Sequence, residues 1–258
     1  MPSSPKTSRY AQVADDLRSE ITSGRQPPGS PLPSEERLAT RHGVSRVTMR
    51  SALAVLRAEG LITTVKGGST YVRDRRVLRL TVSRYSSTFN AGLPASFQAA
   101  AHESGLLGSV RVVRLEHLQA DAPTAAKLEI SQGDPIIVRV RHMSLGDVDP
   151  EVVQESTSTI PLDLVKDSPL ARPERIPTGV YAAFAALGHA PATMTEEVST
   201  RLPTPDERVT LGLPPGMPVL VFERITRDAT RRPLELVHVV ATGDRTTLVY
   251  DDLPITTR

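Results

Sequence analysis

Four side chains that can donate hydrogen bonds to DNA lie between residues 45 and 50, where the sequence reads SRVTMR. Ser45, Arg46, Thr48 and Arg50 are of the types that bind phosphate oxygens and base edges in the grooves of a duplex. Arg46 and Arg50 are four residues apart, so on a helix they would share one face. Such a pair is most often only a solvated helix face, so the spacing alone leaves both interpretations open.

These residues fall on the second of two predicted helices that are joined by a tight turn. Ser34 is a good N-cap for the first helix, and acidic residues follow it where the helix dipole favours negative charge. Gly43 can adopt the left-handed conformation that ends a helix, and Ser45 caps the next one. The apolar residues of the second helix recur at helical spacing: Met49, Leu53 and Leu56. We therefore predict a helix-turn-helix over residues 33–59, with its polar face suited to the major groove.

A small basic hairpin follows the two helices and is predicted to form a wing. Residues 61–64 and 70–72 read as short strands, and the turn between them contains Lys66, Gly67 and Gly68. A glycine-rich turn is usually only a turn. Beside a DNA-reading helix, however, a lysine at a hairpin tip is well placed to contact phosphate or the minor groove.

This N-terminal stretch closely resembles the winged helix-turn-helix of GntR-type bacterial transcriptional regulators. The matching segments are YAQVADDL from Tyr10, PG at 28–29, LPSE at 32–35, GVSR at 43–46, TMR at 48–50 and EGLI at 59–62. The resemblance implies sequence-specific binding to double-stranded DNA. The residues expected to contact DNA are Ser34, Ser45, Arg46, Thr48, Arg50, Lys66, Gly67 and Gly68.

Charge is distributed unevenly along the 258 residues. Residues 1–76 hold 13 Lys or Arg against 7 Asp or Glu, whereas the remainder holds 18 against 22. A basic module joined to an acidic one is typical of a protein that meets a polyphosphate through one part only. The chain contains no cysteine, which excludes disulfides and thiol catalysis. With no apolar run of the roughly 20 residues that span a membrane, and no signal-peptide core, we expect a cytoplasmic protein.

Three segments are predicted: a DNA-binding domain over residues 1–75, a linker over 76–83 and a second domain over 84–258. The sequence RDRRVLRLTVS at 73–83 carries four arginines and then alternates apolar and polar residues. This pattern indicates a linker that becomes the first strand of the second domain. The arginines fit a solvated hinge and a direct DNA contact by Arg75 or Arg76 equally well.

The second domain contains an internal repeat with a constant offset of 83 residues. The repeated positions are Leu128 and Leu211, Gly133 and Gly216, Pro135 and Pro218, Arg141 and Arg224, and Pro150 and Pro233. Each copy reads as the end of a helix, a glycine turn and two strands, so we predict one antiparallel sheet with approximate internal symmetry. Between the copies we predict a helix over residues 177–188 and a strand over 195–202. A last hairpin, with strands at 234–240 and 246–250, is predicted to close the sheet.

Residues 80–253 resemble the UTRA effector-binding domain of HutC-type GntR regulators, which has a chorismate-lyase-like fold. The segments that carry this resemblance are GDP at 133–135, RVR at 139–141, VY at 180–181, residues 211–220, PLE at 233–235 and GDR at 243–245. It implies an α+β protein: an N-terminal winged helix-turn-helix and a C-terminal domain with an antiparallel sheet. It also implies a repressor that responds to a small-molecule effector and forms a homodimer on a two-fold symmetric operator.

Arg139 and Arg141 lie two apart on a predicted strand, so both project to one face of the sheet, where they repel unless an anion or carboxylate lies between them. In the family, the matching arginines hold anionic effector groups or pair with acidic residues of the domain. Glu235 matches an acidic position used for polar effector groups, and Gly179 stands where sugar-phosphate binders often carry serine, which argues against a phosphosugar. The candidate effector residues are Arg139, Arg141, Gln154, Glu155, Ser156, Tyr181 and Glu235.

Other interpretations remain open at this stage. Arg141 and Arg224, at symmetric places, suit a structural pairing with carboxylates, and Tyr181 on an apolar helix suits a core residue. No two of the six histidines have metal-ligand spacing and no catalytic motif occurs, so we expect neither an enzyme nor a bound metal or cofactor. The alternative function is a DNA-binding regulator controlled by a protein partner. A polar cavity between the repeats would favour the small ligand.

Overall fold

A computed structural model of the chain describes residues 8–64, 69–73, 76–81, 96–147 and 150–250. The backbone divides into two compact units, Met1–Arg75 with Leu213–Met217, and Arg76–Gly212 with Pro218–Arg258. Within the described ranges, no helix is long and apolar enough to cross a membrane.

The N-terminal unit is a three-helix core with a two-stranded hairpin. Its elements are α1 Arg9–Thr22, α2 Glu35–His42, α3 Arg46–Ala58, β1 Ile62–Thr64 and β2 Thr70–Val72. The predicted caps are confirmed: the Ser34 and Ser45 hydroxyls accept from the third residue along the chain, and Gly43 is left-handed with φ 61°. Met49, Leu53 and Leu56 are buried as predicted. Strands β1 and β2 pair in antiparallel register from Ile62 opposite Val72 to Thr64 opposite Thr70.

An ion pair fastens α1 to the end of α3 in this unit. Arg18 donates from Nε and Nη2 to the two carboxylate oxygens of Glu59, at 2.8 and 2.6 Å. A two-point contact of this kind fixes the planes of both groups. The contact therefore joins α1 to the residue that ends α3.

The second unit is built mainly on long strands. Its strands are β3 Leu78–Thr81, β4 Gly108–Gln119, β5 Pro135–Leu145, β6 Glu151–Pro161, β7 Pro191–Arg201, β8 Val219–Asp228, β9 Pro233–Thr242 and β10 Thr246–Val249. Its helices are α4 Ser96–Glu103, α5 Ala122–Leu128, α6 Leu162–Val165, α7 Val180–Ala186 and α8 Pro205–Thr210, with a 3₁₀ turn at Pro169–Ala171.

Six strands form one antiparallel sheet in the order β4-β5-β6-β9-β8-β7. The repeat unit is a strand, a helix and a hairpin, once as β4-α5-β5-β6 and again as β7-α8-β8-β9. The two copies meet where β6 pairs with β9, and Ser156 lies opposite Val239, its own equivalent 83 residues later. The internal symmetry predicted from the sequence is thus present, with its two-fold axis at this pair.

Two predictions about the ends of this unit need correction. The last strand does not close the sheet: β10 pairs in parallel with β3 in a separate two-stranded sheet, from Thr246 opposite Leu78 to Val249 opposite Thr81. Such a pairing joins residues far apart in the chain, and a local pattern cannot reveal it. The helix predicted over 177–188 is also shorter, because Gly179 has φ 85° and precedes the first residue of α7.

Candidate functional site

The first turn of α3 is organised by its own hydroxyl groups. Ser45 Oγ accepts from the backbone nitrogen of Thr48 at 3.1 Å, and the two hydroxyl oxygens are 2.9 Å apart. In the preceding helix, Ser34 Oγ accepts from the Arg37 nitrogen at 3.3 Å. Each of these hydroxyls uses one lone pair to cap its helix, so it still has a proton to donate and a second lone pair to accept another hydrogen bond.

The two predicted DNA-reading arginines are exposed and rest on acidic residues of α2. Arg46 Nη2 lies 2.8 Å from Glu36, and Arg50 Nε lies 2.9 Å from Glu35. The arginine side chains are 59% and 68% exposed, so these pairs contribute at most about 1 kcal/mol each. Pairs this weak leave both guanidiniums able to exchange partners at the helix surface.

A third arginine of α3, which is not among the predicted DNA contacts, links this helix to the hairpin. Arg57 donates from Nε to Thr64 Oγ1 at 3.0 Å. Its spacing of seven residues from Arg50 places both arginines on one face of the helix, as the sequence predicts. Lys66, Gly67 and Gly68, the predicted wing contacts, lie outside the described residues.

A second candidate site is the polar face of the six-stranded sheet, at the junction of the two repeats. Strand register places the side chains of Arg139 and Arg141 on the same face as Ser156 and Ser158. The pairing continues across β9 to β8, where Val237 is opposite Arg224 and Glu235 is opposite Thr226. Most of the predicted effector residues are therefore brought together on one surface.

Arg139 is buried and binds a loop rather than a carboxylate. Its terminal nitrogens donate to the carbonyls of Leu170 at 2.9 Å, of Glu174 at 3.1 Å and of Arg172. Burial, with the nearby charge of Arg141, lowers the pKa of Arg139 to about 10. It still carries a proton at neutral pH, and its main contacts hold the 170–174 segment over the sheet.

Among the residues that the structure describes, the hydrogen-bond partners of Arg141 are neutral. Its Nη2 donates to Ser158 Oγ at 2.6 Å and to Ser156 Oγ at 3.1 Å. Burial is the main influence that lowers the pKa of Arg141; Glu235 opposes this effect and Arg224 adds to it. Its buried Nε has no hydrogen-bond partner among the described residues. Ser158, two residues after Ser156 and therefore on the same face of β6, is not among the residues predicted from the sequence.

In contrast to Arg141, its equivalent in the second repeat, Arg224, pairs with a carboxylate. Arg224 Nη2 lies 2.6 Å from Glu196, directly opposite on β7, and both side chains are only 14% exposed. The position equivalent to Glu196 in the first repeat is Val113, which falls at a bulge in β4. The structural pairing expected for both arginines is therefore seen for Arg224 alone.

Glu235 and Gln154 supply unpartnered polar atoms to the same face. Both residues are buried, and neither Glu235 Oε1 nor Gln154 Nε2 has a hydrogen-bond partner in the part of the chain that the structure describes. The Tyr181 hydroxyl is 3.2 Å from Thr226 Oγ1, so this tyrosine reaches the polar face instead of lying wholly in the core. A buried polar atom without a partner is unfavourable by about 1–3 kcal/mol, which a bound polar ligand would relieve.

Glu155 is separated from the other candidates. Consecutive strand residues point to opposite faces, so Glu155 cannot share a face with Gln154 and Ser156. It pairs instead with Nε2 of His142, at 2.9 Å. We therefore remove Glu155 from the candidate effector site. Among the described residues, no group of His, Cys, Asp and Glu could hold a metal ion.

Comparison with known proteins matches both units to family models. Residues 9–72 match the model of the bacterial regulatory proteins of the gntR family, and residues 103–247 match the UTRA domain. The chain is 28% identical to the HTH-type transcriptional repressor NagR of Bacillus subtilis, over 93% of each protein. A crystal structure assigned to the GntR-family transcriptional regulators is 32% identical, covers 97% of this chain and 99% of its own, and has a TM-score of 0.59. The structure of PhnF from Mycobacterium smegmatis is 24% identical, with a TM-score of 0.59 over 92% of this chain and 97% of its own, and shows the same fold.

Proposed function

The chain belongs to the GntR family of transcriptional regulators and carries a UTRA domain, and from this premise we propose that it is an effector-controlled repressor of the HutC type. Its similarity to regulators rather than enzymes agrees with the absence of catalytic motifs in the sequence. We place the DNA-binding domain at residues 1–75, the linker at 76–83 and the effector-binding domain at 84–258.

In this proposal α3 enters the major groove of the operator. Ser45, Arg46, Thr48 and Arg50 lie at its N-terminal end, where recognition helices contact bases, and Ser34 caps α2 beside the DNA backbone. Lys66, Gly67 and Gly68 form the proposed wing contact. A homodimer joined mainly through the effector-binding domains would place two such helices on a two-fold symmetric operator.

The effector is proposed to bind on the polar face of the sheet, and the observation that carries this proposal is the imbalance of charge there. In the described part of the chain Arg141 donates to serine hydroxyls only, whereas Arg224 pairs with the carboxylate of Glu196. An anionic group of the ligand would accept hydrogen bonds from Arg141 and balance its charge. A hydroxyl or amine of the ligand would donate a hydrogen bond to Glu235. The ligand class is therefore a small polar molecule with one anionic group and at least one donor. A phosphosugar is the less favoured member of that class, because Gly179 stands where sugar-phosphate binders of the family often carry serine.

Control of DNA binding would pass through the linker. The linker itself is tied to the effector-binding domain, because Leu78 donates its backbone N–H to the Arg245 carbonyl at 2.8 Å and the Arg76 side chain donates to the Gly105 carbonyl at 3.0 Å. We propose that a ligand between the repeats shifts this attachment and so changes the spacing of the two DNA-binding domains. Couplings of this kind are typically about 1–3 kcal/mol.

The test is a mobility-shift assay on DNA from upstream of the protein's own gene and on a randomised pool of duplexes, repeated with a panel of metabolites. We expect a specific complex that one compound weakens or strengthens. Arg46→Ala or Arg50→Ala should reduce operator affinity by at least about tenfold, because each removes a base or phosphate contact. Arg208→Ala, an exposed arginine on α8, is the matched control and should leave affinity unchanged.

The outcomes separate the parts of the proposal. A protein that selects no duplex from either source contradicts DNA binding. A specific complex that no metabolite changes contradicts small-molecule control and favours regulation by a protein partner. Unchanged affinity in both arginine variants would contradict the assignment of α3 as the recognition helix.

A further inference from the structure

Val47 is the most exposed large apolar residue in the described part of the N-terminal unit. It lies on α3 between Arg46 and Thr48 and is 73% exposed. At 3.6 residues per turn it is about 180° around the helix from Leu56, which is fully buried. Val47 therefore points directly away from the core, on the side that carries Arg46 and Arg50.

Helix stability does not explain a valine at this place. Single exposed apolar residues are common on proteins, so exposure alone carries no meaning. A β-branched residue is, however, a poorer helix former than alanine, lysine or glutamate, and an exposed position offers it no packing in return. What valine does offer is rigidity: in a helix its side chain is held almost entirely in one rotamer, so its two methyl groups are presented at a fixed place.

The major groove contains one apolar group for such a side chain to contact. Thymine presents its 5-methyl group there, whereas the other base edges present hydrogen-bond donors and acceptors that valine cannot satisfy. We propose that Val47 is a specificity-determining residue that packs on the methyl group of one thymine in each operator half-site. This inference rests on the proposed DNA-binding function and adds to it a base identity.

The experiment replaces thymines one at a time by deoxyuridine, which lacks only the methyl group. The probe is a duplex that the full-length protein has selected from a randomised pool, and affinity is measured by fluorescence anisotropy. Burial of one methyl group predicts about a fourfold loss of affinity at one thymine of a half-site, and about fifteenfold when both half-sites are changed. In Val47→Ala that same deoxyuridine should cause a clearly smaller loss, because both γ-methyl groups are gone, and the affinity for the unmodified duplex should fall.

Matched variants exclude indirect effects. Val209→Ala makes the same change at a valine that is 79% exposed on α8, and it should keep the wild-type sensitivity to deoxyuridine. Val47→Thr retains one methyl group and should retain part of that sensitivity. Circular dichroism and the melting temperature of Val47→Ala should match those of the wild type, since no core contact is lost.

Two results would overturn the assignment. One is a selected duplex in which no thymine is sensitive to loss of its methyl group. The other is a sensitive thymine whose effect is undiminished in Val47→Ala. Either result leaves DNA binding itself intact, whereas failure to select any duplex contradicts the proposed function and this inference together.

Discussion

At the scale of single residues, the two symmetric arginines of the sheet have different surroundings. Arg224 is neutralised by Glu196, and Arg141 is held by two serine hydroxyls with Glu235 nearby as the opposing charge. A guanidinium that already pairs with a buried carboxylate has its charge balanced and does not need an anionic ligand. A guanidinium whose partners are neutral can still bind one. The first repeat and Glu235 are therefore the part of the surface where substitutions should change effector response.

Glu235→Gln tests this directly. The substitution keeps the shape of the side chain and removes its charge, so a ligand donor loses a charge-assisted hydrogen bond. We expect effector affinity to fall about 10- to 100-fold while operator affinity without effector is unchanged. Titration of the effector found in the mobility-shift assay provides the measurement.

Glu155→Gln is the matched control, because Glu155 lies on β6 but faces the opposite side of the sheet. It should respond to effector like the wild type. If Glu155→Gln loses the response and Glu235→Gln retains it, the ligand lies on the other face of the sheet.

At the scale of elements, helix α8 depends on contacts at its first turn. Thr204 Oγ1 accepts from the Glu207 backbone nitrogen, and the Glu207 carboxylate accepts from the Thr204 nitrogen. Arg201 adds two contacts to the same carboxylate, at 2.6 and 2.7 Å. No residue of α8 is buried, so these polar contacts hold the helix in place of a core.

This arrangement predicts a pH dependence of stability. The Arg201 hydrogen bond lowers the pKa of Glu207 from 4.5 to about 2. A lowered pKa in the folded state stabilises the protein above pH 4.5, and this contribution is lost as the pH falls from 4.5 to about 2. Glu207→Gln should therefore lower the free energy of unfolding by about 1–2 kcal/mol at pH 7 and by progressively less towards pH 2.

Urea denaturation of the full chain across that pH range measures the difference. Glu197→Gln, an exposed carboxylate on β7, serves as the control and should show no such dependence. Equal losses for Glu207→Gln at pH 7 and near pH 2 would show that its contribution is not electrostatic.

Features set by neighbours in the chain were predictable from the sequence, whereas features set by strand register were not. The caps at Ser34 and Ser45 act on the next turn of the same helix, and the repeat around Arg141 and Arg224 is a property of the sequence itself. The partners of those arginines depend on which strand lies opposite and where β4 bulges. The same register excludes Glu155 from the polar face.

At the scale of the whole molecule, the proposed mechanism requires two copies. In that mechanism each chain would supply one recognition helix, and a two-fold symmetric operator would need two. Sedimentation should give about twice the 27.9 kDa of one chain, both free and with effector. The operator complex should contain two chains per duplex. A single chain bound to a half-site with full affinity would contradict the dimeric mechanism.

The symmetry axis at Ser156 and Val239 also has an evolutionary consequence. A constant offset of 83 residues, and two copies that meet across one strand pair, are the signature of duplication and fusion of an ancestral half-domain. The copies differ at one buried pairing: Arg224 of the second copy has Glu196 opposite it, whereas the first copy has Val113 at the position equivalent to Glu196. Single substitutions of this kind break the symmetry of the buried charges without altering the strands, so regulators built on such a repeat could acquire new inducers while keeping one fold.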